Sequence, residues 1–182
     1  MAQNCTLGRV DILQTVETKK SPTAFKKVLV ILMSLVAVAL LAIATFILIP
    51  GEKTVFAGKK PTNIGVVSGK LAACPDRPNC VSSFSQDAEH QIEPLAYTSS
   101  PAEAMAKLKG AIDSSAKTKI VTATDNYLYA EFTSALMGFV DDVEFLVDDA
   151  AKVIHVRSAS RLGQSDLGVN RKRIETIRAQ LN

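Results

Sequence analysis

The stretch YLYAEFTSALMGFVDDVEFLVD, residues 127–148, alternates apolar and polar side chains in two runs that pivot around Gly138. Period-two patterning interrupted by a glycine is the mark of two strands joined by a turn. Runs of similar character flank it, KIVTAT (119–124) before and KVIHVRSASR (152–161) after. The connections between the four runs are short, which favours antiparallel neighbours over crossovers. Alternation then assigns two faces. Leu128, Phe132, Leu136, Val143, Phe145, Val147, Ile154 and Val156 are expected on a buried face, with Tyr127, Tyr129, Glu131, Asp142, Glu144, His155, Arg157 and Arg161 opposite them.

Working outward, SSPAEAMAKLKGAI (99–112) carries Ser100, Pro101 and Glu103 in the arrangement of a capping box. Ala104, Met105, Leu108, Ala111 and Ile112 then share one helical face. At the other end, NRKRIETIRAQL (170–181) repeats Ile174, Ile177 and Leu181 at helical spacing, and QIEPLAY (91–97) suggests a weak edge strand. The expected fold is α+β: an antiparallel sheet of four to five strands with two helices on one face.

Further upstream lies an apolar run of 22 residues, Val28 to Ile49, with Ser34 and Thr45 its only polar interruptions. As a helix it would reach about 33 Å, enough for a hydrocarbon core of about 30 Å. The expected organisation is a leader at 1–27, a transmembrane helix at 28–49 contacting the lipid bilayer, a linker at 50–70 without a fold of its own, and an exported α+β domain at 71–182. Lys26 and Lys27 abut the run and, with Lys19, Lys20 and Arg9, point to a cytoplasmic or stromal N-terminus. The alternative is a cleaved signal segment, because Val55 and Ala57 form a small-residue pattern before Gly58. Residues 28–182 hold sixteen basic and sixteen acidic side chains. A neutral domain lacks the basic footprint of nucleic-acid binding, so no nucleic-acid partner is expected.

Cys74 and Cys80 fall on the exported side, where an oxidising compartment favours a disulfide, whereas Cys5 falls on the reducing side. A redox role suits the pair less well, since five residues separate the thiols. The two histidines, His90 and His155, form no companion pair, so neither a metal nor another cofactor is called for.

Three blocks, CPDRPNCVSS, YLYAEFTSALMGFVDDVEFLVD and VIHVRSASRLGQSDLGVNRKRIETIR, together resemble the domain of unknown function 1499 family over roughly residues 62–182. The preceding FAGKKPTNIGV is similar to the form found in its cyanobacterial and plastid membrane-anchored members. That resemblance implies a domain in a thylakoid lumen or periplasm. It implies no reaction.

The same blocks concentrate Asp142, Glu144, Arg157, Ser158, Ser160, Arg161, Asp166, Asn170, Arg171 and Arg173 within a short span, the candidate ligand-binding set. Arginines held by carboxylates, with serine hydroxyls and the amides of the last helix, suit a small anionic or polar ligand. The expected role is a non-catalytic domain that binds such a ligand or assists a membrane protein complex. Two alternatives stand beside it: a hydrolase-type enzyme using the Asp/Glu/Arg face, and a purely structural charge lattice in which Asp166 or Asn170 only caps a helix. GQSDLG lacks the glycine run of a phosphate-binding loop. His155 shows no Ser-His-Asp arrangement along the chain.

Overall fold

The computed structural model describes residues 22–48 and 56–181. The leader up to residue 21, the last residue of the expected span, Ile49, the first linker residues 50–55 and Asn182 lie outside them, and with them Cys5, Arg9, Lys19, Lys20 and Val55. The chain divides into two compact units, before and after Pro50.

The first unit carries helix α1, Pro22–Leu48. It starts earlier than the apolar run does, with a proline at its first position, where the missing N–H breaks no intrahelical bond. Its stretch Thr23–Thr45 has a mean hydropathy of 2.9, and none of it is buried. The hydroxyls of Ser34 and Thr45 donate back to the carbonyls of Ile31 and Ala42 at 2.8 Å, so neither polar side chain is left unsatisfied in an apolar surrounding. Among the described residues it is the one helix long and apolar enough to cross a membrane.

The second unit is built on an antiparallel sheet. Two short strands, β1 (Val66–Val67) and β2 (Lys70–Leu71), form a hairpin ahead of it. Within the sheet, four long strands, β5 (Thr118–Ala123), β6 (Tyr127–Thr133), β7 (Val140–Asp148) and β8 (Val153–Ser160), lie in chain order. Two short ones, β3 (Cys80–Ser82) and β4 (Leu95–Ala96), both pair with β8 along its outer edge. Register places Tyr129 opposite Glu144, Glu131 opposite Asp142, and Glu144 opposite Arg157. Helices α2 (Pro101–Asp113) and α3 (Val169–Leu181) cover one face. The capping box forms: the Ser100 hydroxyl accepts from the Glu103 amide, and the Glu103 carboxylate accepts from the Ser100 amide. All five apolar positions of α2 read from the sequence are buried, against Leu128, Phe132, Val143, Phe145, Ile154, Val156, Ile174 and Ile177.

Leu136 departs from its expected place. Strand β6 ends at Thr133, and the Ser134 amide donates to the Phe139 carbonyl to close a turn, so Leu136 is 92% exposed rather than in the core. The larger departure concerns the face opposite the helices. Tyr129, Asp142 and Glu144 are fully buried there, and Arg157 is nearly so. What covers them is residues 56–71, most of the stretch read as a linker without structure. This strap carries the β1–β2 hairpin, turning on Ser68 and Gly69, both with positive φ. Strand β2 lies against β7 and β8. Gly58, at φ +68°, passes so close that a Cβ would sit 2.9 Å from Arg161 Cβ. No hydrophobic period marks the strap because it lies on a polar surface, which it meets through backbone amides and cation-to-ring contacts.

Candidate functional site

The strap side of the sheet holds a buried ionic network. Asp142 receives the Tyr129 hydroxyl at 2.6 Å and three bonds from Arg161 at 2.7 to 3.2 Å. The same guanidinium reaches Glu131 at 2.5 Å. Glu144 receives the Gly65 amide at 2.7 Å, the Tyr127 hydroxyl at 2.8 Å and Arg157 Nη1 at 3.2 Å. Lys60 lies 4.4 Å from the centre of the Tyr129 ring. Burial and the carboxylate to which each hydroxyl donates push both phenols, Tyr127 and Tyr129, well above their usual range. Burial acts to raise Glu131, but the Arg161 and Tyr129 bonds outweigh it and hold that carboxyl below its ordinary value. Arg161 is pushed up by its bond to Asp142 and stays charged throughout. Asp142 and Glu144 are thus each met by several donors of the network.

The helix side holds a separate cluster. Asn170 is fully buried; its carbonyl oxygen accepts from Ser158 at 2.5 Å and from Arg173 at 2.6 Å, and its amide donates to Ser160 and to the Asn79 carbonyl, each at 3.0 Å. Arg173 also pairs with Asp141 and lies 4.7 Å from the centre of the Phe132 ring. The ten candidates thus do not converge. Asp142, Glu144, Arg157 and Arg161 stand on the strap side, and Ser158, Ser160, Asn170 and Arg173 on the helix side, as neighbours in β8 must when alternate residues point apart. Asp166 caps α3, accepting the amides of Gly168 and Asn170 at 3.0 and 2.7 Å, so the helix start is met by the chain's own carboxylate. Arg171 is a clamp on another part of the surface, donating to the carbonyls of Gln91 and Glu89.

Between the strap and the Cys74–Cys80 disulfide lies a pocket of about 410 Å³. Its walls include Asn63, Arg77, Asn79, Arg157 and Arg161, and among the described residues no carboxylate lines it. Two buried polar atoms there, Arg157 Nε and Asn79 Oδ1, have no partner among the described residues. Such orphans are uncommon in folded proteins and ask for a cause.

The family model described as "Protein of unknown function (DUF1499)" matches residues 70–181. The chain belongs to the DUF1499 family. A comparison with curated proteins returned no match. The DUF1499 match takes in both polar clusters and the disulfide loop, yet it begins after most of the strap that buries the first cluster.

Within the DUF1499 region, reading the sequence missed Arg77 and Asn79, although both sit in the quoted CPDRPNC block. It also missed a meeting of residues far apart in the chain: the Ser83 hydroxyl lies 3.1 Å from His155 Nδ1, with Asp148 3.9 Å from Nε2 and the Phe84 ring stacked on the imidazole at 4.2 Å. Burial lowers the His155 pKa, with Asp148 opposing it. Ser83 Oγ accepts the Val156 amide at 3.0 Å, which ties up a lone pair, and the Asp148 separation exceeds a hydrogen bond. The trio fixes the edge of the sheet. Among the described residues no three His, Cys, Asp or Glu side chains gather as metal ligands would.

Proposed function

We propose that this DUF1499 domain is a non-catalytic binding module whose ligand is a small anion or anionic polar molecule, held in the pocket between the strap and the disulfide loop. The observation that carries the reading is Arg157: a nearly buried guanidinium on the pocket wall whose Nε donates to nothing among the described residues. Glu144 anchors Nη1 and fixes the plane of the fork, while Arg77 adds positive charge to a wall that no described carboxylate lines. A phosphate or carboxylate oxygen would satisfy Nε, and a hydroxyl or protonated oxygen on the same ligand would satisfy Asn79 Oδ1.

We further infer a single-span protein with its N-terminus in the cytoplasm or stroma and the domain in a periplasm or thylakoid lumen. The apolar α1, the lysines before it and a disulfide that needs an oxidising compartment support this. A role in assisting a membrane protein complex is compatible with the same site, the ligand then being an acidic group of the partner.

The experiment is native mass spectrometry of the full-length chain taken gently from its membrane, followed by thermal denaturation with inorganic phosphate and a panel of carboxylates. The expected result is a bound anion, or stabilisation by one of them, weakened at least about tenfold in Arg157→Lys, which keeps the charge but loses the fork. A bare chain that no anion stabilises would leave the network as a structural charge lattice.

A further inference from the structure

One end of the domain exposes apolar side chains that the fold gains nothing by displaying. Leu136 and Leu167 are 92% and 94% exposed, and Leu167 in addition holds a positive φ of 55°, a backbone conformation that costs a leucine energy without any packing in return. Met137, Phe139, Leu162 and Val169 are also substantially exposed. They belong to one surface. Leu136 and Met137 occupy the turn closed between Ser134 and Phe139, and Phe139, Leu162, Leu167 and Val169 together line a groove of about 260 Å³. Isolated surface leucines need no explanation, whereas a contiguous set at one tip marks a contact surface.

The chain itself indicates what covers it. Phe56, the first described residue of the domain, packs its ring 5.1 Å from that of Phe139, so the chain enters the domain at this tip. Only eight peptide steps separate Phe56 from Leu48, the last residue of α1, and eight steps span at most about 29 Å. The tip is therefore tethered within that reach of any membrane that α1 crosses. Charge suits the same occupant. Lys117 donates to the Ala135 carbonyl beside Leu136, and Lys59 and Lys172 stand exposed nearby in the chain, while the neighbouring acids are engaged, Asp141 by Arg173 and Asp166 in capping α3. Exposed leucine, phenylalanine and methionine with a lysine bound beside them is a composition suited to the headgroup and upper acyl region.

We propose that this tip is a lipid-contacting surface: Leu136, Met137, Phe139, Leu162 and Leu167 enter the interface of the bilayer in which α1 is anchored. The occupant is the membrane itself, not a second copy or a protein partner. The proposal rests on α1 spanning the bilayer and is independent of the anion pocket.

The chain contains no tryptophan, so one introduced indole reports alone. Leu136→Trp, Leu167→Trp, Leu40→Trp and Asp125→Trp would be made singly in the full-length protein and reconstituted into phosphatidylcholine vesicles with and without acyl-brominated lipid. Leu40→Trp reports on α1, and Asp125→Trp reports from beyond the other end of the seven-residue strand β6. The expected result is that brominated lipid quenches the Leu136→Trp and Leu167→Trp variants at least about twofold, as it does the Leu40→Trp variant, and leaves the Asp125→Trp variant unaffected. Quenching of the α1 reporter without quenching of either tip reporter would overturn the contact while leaving the anchor intact. Absence of quenching in α1 and at the tip would overturn both. Two tip reporters guard against one substitution disturbing its turn.

Discussion

Arg161 grips Asp142 from two residues beyond the Asp142–Ala159 pairing, through three hydrogen bonds, and the Nη2 that makes one of them also reaches Glu131. One guanidinium thus neutralises two carboxylates beneath the strap. Replacing Arg161 with alanine would leave Asp142 buried with a phenol as its remaining donor, and loss of one partner from a buried pair typically costs about 3–5 kcal/mol. Thermal denaturation of the full-length chain checks this. A loss below about 1 kcal/mol would mean that the network adds little to the fold.

Asn170 binds four groups from three parts of the chain, so its removal leaves the buried Ser158 hydroxyl without an acceptor and takes an acceptor from Arg173, while the Asn79 carbonyl keeps the Ser160 amide. Asn170→Ala is expected to cost about 2–3 kcal/mol, in line with leaving buried polar groups unpaired. Asp166→Ala, which removes only a helix cap, should cost about 1 kcal/mol. Denaturant titrations of the two variants should keep that order.

The two histidines should titrate on opposite sides of the ordinary value of 6.5. Both ring nitrogens of His90 face acceptors, Asp87 at 2.6 Å and the Arg77 carbonyl at 3.0 Å, and these outweigh burial to raise its pKa. Its contribution to stability is complete below about pH 6.5 and is lost as pH rises through the raised value. His155 is lowered by burial, so its neutral ring favours the fold above about pH 6.5, and stability is lost as pH falls from there towards its folded pKa. Two imidazole resonances followed by NMR against pH would test this, and coincident midpoints would contradict it.

Reducing the Cys74–Cys80 bond should lower stability by about 2 kcal/mol, the loop-closure contribution of so short a loop. The bond also holds the loop that carries Arg77 and Asn79. Anion-induced stabilisation should therefore weaken further in dithiothreitol than the melting shift alone explains, which paired melts with and without phosphate would detect.

The core was legible because Leu128, Phe132, Val143, Phe145, Ile154 and Val156 alternate, and Ser100 with Glu103 announced a helix by its cap. Leu136 was misassigned because alternation continues across a turn that only backbone bonds define. The burial of Tyr129, Asp142 and Glu144 was not legible, since a period-two pattern reads a polar face as a wet one and the strap that dries it has no period. Alternation along β8 already implied that Arg157 and Ser158 point to opposite faces, although the candidate ligand-binding set grouped them by their closeness in the chain. Ser83 and His155 meet across an edge pairing that no local pattern encodes.

The strap has a practical consequence for where a recombinant fragment should begin. A fragment cut at Lys70, where the family match starts, would lack the Gly65 amide on Glu144 and the Lys60 cover on Tyr129, and would open the arginine-carboxylate network to water. A fragment beginning at Phe56 keeps both. The same reasoning bears on proteolytic release: a cut after Ala57 would free the domain from its anchor with Gly58 still seated against Arg161, so the shed form would carry its polar face already closed.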